Sequence, residues 1–352
     1  MHYPRLVIDE AKIAHNTRVI SQAAARHGIT VAGVTKVCLA DELIVRAMLA
    51  GGLTMLADSR VENLERLKSL ELGIPLMLLR APGLSQIEDT VAFADISLNS
   101  DYKIMAALAA EARRQKKVHG VIIMVDLGDL REGVWPEDAV PLAVRVERLK
   151  GLKLLGLGVN LSCYGGIIPT PTNMAHLVSI ARDVEKQIGR KLEIISGGNT
   201  SSMNLVYNDE MPEGINNLRI GEGILLGRNT IDRTPLPETY QDCFILQAEV
   251  VESYIKPSQP IGIIGQDAFG NVPHFEDKGN MQRAILNLGR QDVPLEGIYP
   301  LDPELEIIGA SSDHMIIDAT RKNGLKVGDI IEFGVNYAGL LGTMTSPFIK
   351  KV

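Results

Sequence analysis

Residues 33–41, GVTKVCLAD, place a lysine directly behind an apolar run. Val31, Val34 and their small neighbours read as a buried strand, so Lys36 arrives where a charge is least welcome. A lysine that closes a strand ordinarily lays its stem on apolar surface and lifts its ammonium into water. Whether it does more depends on the fold around it. The run 31–35 is the first of eight. The others are LTMLADS at 53–59, PLMLLRAP at 75–82, DISLNS at 95–100, GVIIMVDLG at 120–128, LLGLGVNLS at 154–162, LEIISGGN at 192–199 and NLRIGEGILLG at 217–227. Helical patterns lie between them, the clearest at 60–72, where Val61, Leu64, Leu67 and Leu70 repeat every third residue. Ser59 and Glu62 have the spacing of a capping box in front of it. The segments 100–116, 136–148 and 172–188 also read as helices.

Near-continuous apolar strands separated by amphipathic helices predict a parallel sheet covered by helices. Eight such units are the number that closes a barrel. An open doubly wound sheet is the alternative, but no GxGxxG follows the first strand. The texture changes after Pro235 and Pro237. FILQAEVVESY, PIGIIG, RAILNLG, HMIIDAT and KVGDIIEFG read as strands separated by glycine, proline and aspartate turns. The expected fold class is α/β: an eight-stranded parallel (β/α) barrel over 10–234, then a mainly β C-terminal domain over 235–352 that also takes the N-terminal strand 1–9.

The composition excludes several classes. The chain has 352 residues, 45 % of them hydrophobic, and a net charge of -7, which offers no broad basic surface to nucleic acid or an anionic membrane. Cys38, Cys163 and Cys243 are too far apart for a disulfide framework or a CxxC site, and the seven histidines show no HExxH spacing, so no metal is expected. No apolar stretch reaches 18 residues and the first ten residues lack a signal-peptide core, so a cytoplasmic protein is expected.

In a parallel barrel, chemistry gathers at the C-terminal ends of the strands. The polar residues there include Lys36, Asp58, Arg80, Asn99, Asp126, Arg131, Asn160, Ser162, Ser196 and Arg219. Two segments say more. In ISGGNTSS, 195–202, paired glycines admit a close ligand, and Asn199, Thr200, Ser201 and Ser202 supply donors, as a phosphate cradle or an ordinary helix cap would. In LRIGEG, 218–223, Arg219 sits inside an apolar strand, and a buried arginine must be paired or serve a ligand. A strand-end lysine, a phosphate cradle and a buried arginine together suit pyridoxal 5'-phosphate, whose aldehyde forms a Schiff base with lysine.

On these residues the chain resembles the alanine-racemase-like pyridoxal-phosphate enzymes of fold type III, over nearly its whole length. GVTKVCLAD, CYGG and SGGNTSSMN resemble the ornithine and broad-specificity amino-acid racemase branch. The resemblance implies that Lys36 is the Schiff-base lysine and that Arg131, in VDLGDLREG, contacts the cofactor's phenolic oxygen. It places Asn160 near the ring, Ser196, Asn199, Thr200 and Ser201 in the phosphate loop, and Arg219 against the pyridine nitrogen. Gly221 and Glu222 would offer backbone N–H groups to phosphate. The implied activity is amino-acid racemisation by two-base exchange of the α-proton on the cofactor-bound substrate, with ornithine, lysine or alanine as substrate. Arginine can donate to the pyridine nitrogen without protonating it, so the ring is a weaker electron sink than one facing a carboxylate, which favours proton exchange over transamination. Racemisation then needs an acid/base group on each face.

The chain also departs from the family. The tyrosine that a partner subunit contributes as second base aligns with Arg290, and the tyrosine four residues after the cofactor lysine is Ala40. Met344 and Thr345 stand in the region of a C-terminal phosphate-contact tyrosine. His314 is the leading substitute base, ahead of Tyr164, Cys163 and Tyr337. The segment Ser311, Ser312, Asp313 resembles the loop that helps hold the substrate carboxylate, and Asp313 or Asp292 could take a distal amine. Shared sites imply a homodimer. A pyridoxal-phosphate aldolase or decarboxylase on the same scaffold is one alternative, and a non-catalytic pyridoxal-phosphate-binding protein is the other.

Overall fold

The computed structural model describes residues 2–267, 269–322 and 324–352. The chain divides into two compact units, Glu10–Gln241 and Met1–Asp9 with Asp242–Val352. Strand β1 (Arg5–Ile8) belongs to the second. In the first, eight parallel strands close a barrel: β2 (Thr30–Val34), β3 (Leu56–Asp58), β4 (Leu76–Leu78), β5 (Ile96–Asn99), β6 (His119–Met124), β7 (Leu152–Gly158), β8 (Ile194–Ser196) and β9 (Asn217–Ile220). The ladder closes where β9 pairs with β2, with Thr30 opposite Asn217 and Gly33 opposite Ile220. Every residue of β5 and β6 is buried, as strands covered on both faces require. Ala32, Met77, Leu98, Ile122 and Met124 belong to one core cluster.

The ladders are shorter than the apolar runs, because a run counts hydrophobic side chains whereas a ladder needs backbone partners next door. In NLRIGEGILLG the strand stops at Ile220, and Glu222–Leu226 is a short helix ended by Gly227 at φ 60°. The helix expected over 60–72 spans Val61–Ser69. The Ser59 capping box does not form. Arg60 occupies the cap position, and Asp58 Oδ1 takes the Arg60 N–H instead at 2.9 Å. A capping box does form further on, where Thr170 and Asn173 open the helix Pro171–Ile188. Residues 235–241 stay with the barrel: Leu236 N donates to Gly227 O at 2.8 Å, and Tyr240 N to Oδ1 of buried Asn16 at 2.7 Å.

The second unit is built on one long strand. β10 (Phe244–Pro257) pairs along its first half with β15 (Ile330–Val335) and along its second half with β11 (Asn280–Leu286), with a register shift between Val250 and Glu252. With β12 (Ile298–Pro300), β13 (Glu306–Ala310) and β14 (Met315–Asp318), the order is β12-β15-β10-β11-β14-β13. β1 lies antiparallel on β10, and β16 (Lys350–Lys351) lies parallel to β1. Leu6, Phe244, Leu246 and Phe333 fill its core. PIGIIG forms no strand, contrary to its apolar pattern. Its glycines and proline interrupt it, and Ile261 and Ile263 stand in solvent. A nine-residue helix, Tyr337–Thr345, is capped by Asn336.

Candidate active site

Lys36 leaves the barrel one residue after Thr35, whose side chain is fixed from below. Thr35 Oγ1 donates to Asp58 Oδ2 at 2.6 Å, and Asp58 Oδ1 accepts from Asn63 Nδ2 at 3.1 Å as well as from Arg60. Asp58 is fully buried, and burial raises its pKa against the hydrogen bonds from Thr35, Arg60 and Asn63. Lys36 opens a single 3-10 turn with its side chain exposed. Leu39 and Ala40 follow in the left-handed region, both at φ 54°, a costly conformation for residues with a Cβ. Asp41 then caps the helix Glu42–Ala50, accepting from Leu43 N and Ile44 N. Buried Cys38 accepts no role here, since burial first and Asp58 second push its thiol pKa up.

Arg219 points into the barrel from β9 and is 4 % exposed. Its Nη1 donates to Ser196 Oγ at 2.5 Å and its Nη2 to Val159 O at 2.9 Å. Ser196 in turn donates to Asn217 Oδ1 at 2.6 Å. Among the described residues no carboxylate hydrogen-bonds the guanidinium, and burial pushes its pKa down to about 10. Burying a cation whose hydrogen-bond acceptors are neutral is expensive, and the nearby Glu132 offsets only part of that cost. Ser196 was expected in a phosphate loop, but its hydroxyl is committed inside the barrel to Arg219 and Asn217.

The remaining barrel residues lie on loops that follow β6, β8 and β9 or, for Asn160, two residues past β7. Arg131 is ion-paired with Glu132. Burial disfavours its charge, but the Glu132 hydrogen bond and the nearby Cys163, Glu132 and Asp129 outweigh that and raise its pKa. Asn160 Nδ2 donates to Cys163 Sγ at 2.9 Å, and Asn160 Oδ1 accepts from Asn199 Nδ2 at 3.1 Å. Asn199 also caps its own loop through Ser201 N at 2.8 Å. Thr200 Oγ1 takes the Gly223 N–H at 3.2 Å, which ties the loop after β8 to the turn after β9. Ser201 is 1 % exposed, and its hydroxyl has no hydrogen-bond partner among the described residues. Gly221 lies so close to Val34 that a Cβ would stand 3.2 Å from the Val34 carbonyl oxygen. Glu222 pairs with Arg233; burial raises its pKa, while Arg233 and then Lys36 act to lower it. Lys36 and Glu222 are therefore electrostatic neighbours, which joins the loops after β2 and β9.

Ser311, Ser312, Asp313 and His314 belong to the other unit and turn the chain from β13 into β14. His314 N donates to Ser311 Oγ at 3.2 Å, and Ser311 N to His314 O at 2.9 Å. Arg290 N and Gln291 N donate to Ser311 O and Ser312 O. Gly289 is required beside them, because a Cβ there would lie 2.0 Å from Ser312 O. Asp313 accepts from Gln291 Nε2 at 2.5 Å and Ser312 Oγ at 2.8 Å. A cavity of about 450 Å³ is lined by Asn287, Gln291, Asp292, Asp313, His314 and Phe348, among others. The structure separates the two proposed amine partners. Asp292 is buried and spent on Gly289 N and Ser346 Oγ, whereas Asp313 is exposed. The Arg290 guanidinium stacks 5.0 Å from the centre of the Phe269 ring.

Sequence reasoning missed Asp129, Arg233 and the side-chain roles of Ser196 and Glu222. Nothing in the spacing marked Asp129, a surface-type residue that turns out 1 % exposed. Arg233, at φ 63° on the segment after the last barrel helix, carried no motif.

Comparison with known proteins places this geometry. Residues 8–228 match the alanine racemase, N-terminal domain family. The chain is 44 % identical to an ornithine racemase of Acetoanaerobium sticklandii over 351 residues, 99 % of each protein. It is 41 % identical to a lysine racemase of Thermotoga maritima over 352 residues, 100 % of this chain and 99 % of that one. The fold is shared with a crystal structure of alanine racemase from Bartonella henselae with covalently bound pyridoxal phosphate. The TM-score is 0.77 at 18 % identity, covering 100 % of this chain and 99 % of that one. The chain belongs to the alanine racemase N-terminal-domain family, and it is an amino-acid racemase.

Proposed function

We propose that this racemase holds pyridoxal 5'-phosphate at the C-terminal mouth of its barrel and acts on a basic amino acid, ornithine or lysine. Arg219 carries the reading: a buried guanidinium held by two neutral acceptors is costly to keep, and a ligand that uses its remaining N–H donors accounts for it. The orphaned Ser201 hydroxyl supports it, since a buried donor without a partner fits an absent anionic acceptor. Asn199, Thr200, Ser201 and the backbone N–H groups of Gly221 and Glu222 would hold the phosphate, Arg131 the phenolic oxygen and Arg219 the pyridine nitrogen. Asn160 would lie beside the ring. When bound, the cofactor draws electrons from the substrate's α-carbon and makes its proton removable. Lys36 accepts that proton on one face. Arg219 remains a donor to the ring and keeps its own proton.

The opposite face requires a second acid/base group, and His314 from a second copy of the chain is our assignment. Ser311, Ser312 and Asp313 would then meet the substrate carboxylate and distal amine in a homodimer with shared sites. The full-length similarity to an ornithine and a lysine racemase supports the basic substrate. The three free thiols fit a cytoplasmic enzyme, and no described helix is long and apolar enough to cross a membrane.

The test is a panel of L- and D-ornithine, lysine and alanine in deuterated water, followed by optical rotation and mass spectrometry. The reading expects racemisation with α-deuterium uptake, fastest on ornithine or lysine. Equal rates on alanine would remove the substrate assignment, and no uptake on any amino acid with cofactor bound would remove the chemistry.

A further inference from the structure

Asp129 is the one buried carboxylate in the loops after β6 and β7 whose hydrogen bonds cross from one loop to the other. It follows Gly128 in the loop after β6, and its side chain reaches the loop after β7. Cys163 N donates to its Oδ1 at 3.4 Å and Oδ2 at 3.3 Å, Tyr164 N to Oδ2 at 3.0 Å, and Ile167 N to Oδ1 at 3.3 Å. All of these donors are backbone amides of one five-residue stretch, folded around the carboxylate as a loop folds around an anion. Gly165 completes the contact, since a Cβ there would lie 2.7 Å from the Asp129 carbonyl oxygen. The same stretch is tied at its base by Ser162 Oγ to Ile167 O at 2.8 Å. Outside this ring, Tyr164 is 77 % exposed, so the loop has little apolar packing of its own to hold it.

We infer that Asp129 is a positioning residue: it locks residues 163–167 against the loop after β6 and so sets Asn160, Cys163 and Arg131 as one rigid wall of the cofactor site. The geometry links all three. Cys163 is a neighbour of Asn160 through its sulfur, Asn160 meets Asn199 of the phosphate loop, and Arg131 follows Asp129 by two residues. The carboxylate also lies near enough to Arg131 to support its charge. An amide or alanine at 129 would leave up to four donor contacts without a charged acceptor, and the loop would open to let water reach those N–H groups. This inference rests on the proposed cofactor site for its purpose, though not for its mechanics.

Cys163 provides the probe. It is exposed, whereas Cys38 and Cys243 are buried, so a thiol reagent reports on this loop alone. Wild type, Asp129→Ala and Asp129→Asn would each be labelled with Ellman's reagent, and the Kd of pyridoxal phosphate for each apoprotein measured by fluorescence. Leu64→Ala, a core change on the helix Val61–Ser69, controls for lost stability. Asp129→Ala is expected to raise the labelling rate at Cys163 at least tenfold and to raise Kd about tenfold, Asp129→Asn to fall between, and Leu64→Ala to change neither. An unchanged labelling rate in Asp129→Ala would overturn the lock. Faster labelling with an unchanged Kd would overturn its positioning role. If wild type itself takes up no pyridoxal phosphate, the functional reading falls, and the labelling ratio still decides the lock.

Discussion

At the barrel mouth, Arg219, Ser196, Thr200 and Ser201 are each 4 % exposed or less, whereas Ser312, Asp313 and His314 of the β unit stand in solvent on a short turn. The difference governs how much each region says about function. A buried polar group must be satisfied by its own unit or by a ligand, so the Ser201 hydroxyl, which has no partner among the described residues, and the Arg219 guanidinium, which hydrogen-bonds only neutral acceptors there, are the groups that the proposed cofactor would complete. An exposed group already has water. Asp313 and His314 therefore carry no such demand, and their function depends on what approaches from outside.

The largest effect is expected at Lys36. Lys36→Ala is expected to lower kcat by about 10³-fold or more in both directions, because on the proposed mechanism it would remove both the cofactor's attachment and one base. A residual rate within tenfold of wild type would show that another amine does the work. The exposed turn is tested next. His314→Ala should lower kcat by about 10²-fold while leaving cofactor affinity unchanged. With Lys36 intact, it should still exchange the α-proton of one enantiomer faster than it racemises. Equal loss of exchange from both enantiomers would contradict its place on one face.

A smaller effect comes from a buried histidine on a barrel strand. Nε2 of His119 lies 2.8 Å from Ser97 Oγ, and burial pushes the imidazole pKa down to about 4. The folded state binds fewer protons there than the unfolded state, whose histidine titrates near its ordinary value of about 6.5. Stability from this group is thus complete above pH 6.5 and is lost as pH falls towards 4, by up to about 3 kcal/mol. Urea midpoints measured across that window should drop in wild type and flatten in His119→Gln; parallel curves would reject the assignment. The smallest change is at the surface. Asp313→Asn should raise KM for ornithine or lysine only a few-fold and leave alanine untouched, as suits an exposed charge pair. A uniform rise for all substrates would make Asp313 a carboxylate-side residue.

The sequence showed the barrel well because parallel strands buried on both faces leave continuous apolar runs, and eight of them could be counted. It showed Lys36 and Arg219 because a charge inside such a run is conspicuous. It misjudged PIGIIG, because apolar character alone cannot tell a strand from a loop that leaves its isoleucines exposed. It assigned Ser196 to a phosphate loop because adjacency to Gly197 and Gly198 looks the same whether a hydroxyl faces outward or inward. Only the pairing of β8 with β9, Ser196 opposite Asn217, sends it to Arg219. Asp129 was invisible for a similar reason: its partners are backbone amides more than thirty residues away, and backbone amides have no sequence signature.

On the proposed function, Lys36 holds pyridoxal phosphate at the barrel mouth. The most direct measurement is borohydride reduction of the purified protein, followed by peptide mapping. One modified peptide is expected, with the reduced cofactor on Lys36 and the yellow absorbance lost. A label on any other lysine, or a colourless protein that takes up no added cofactor, would contradict it.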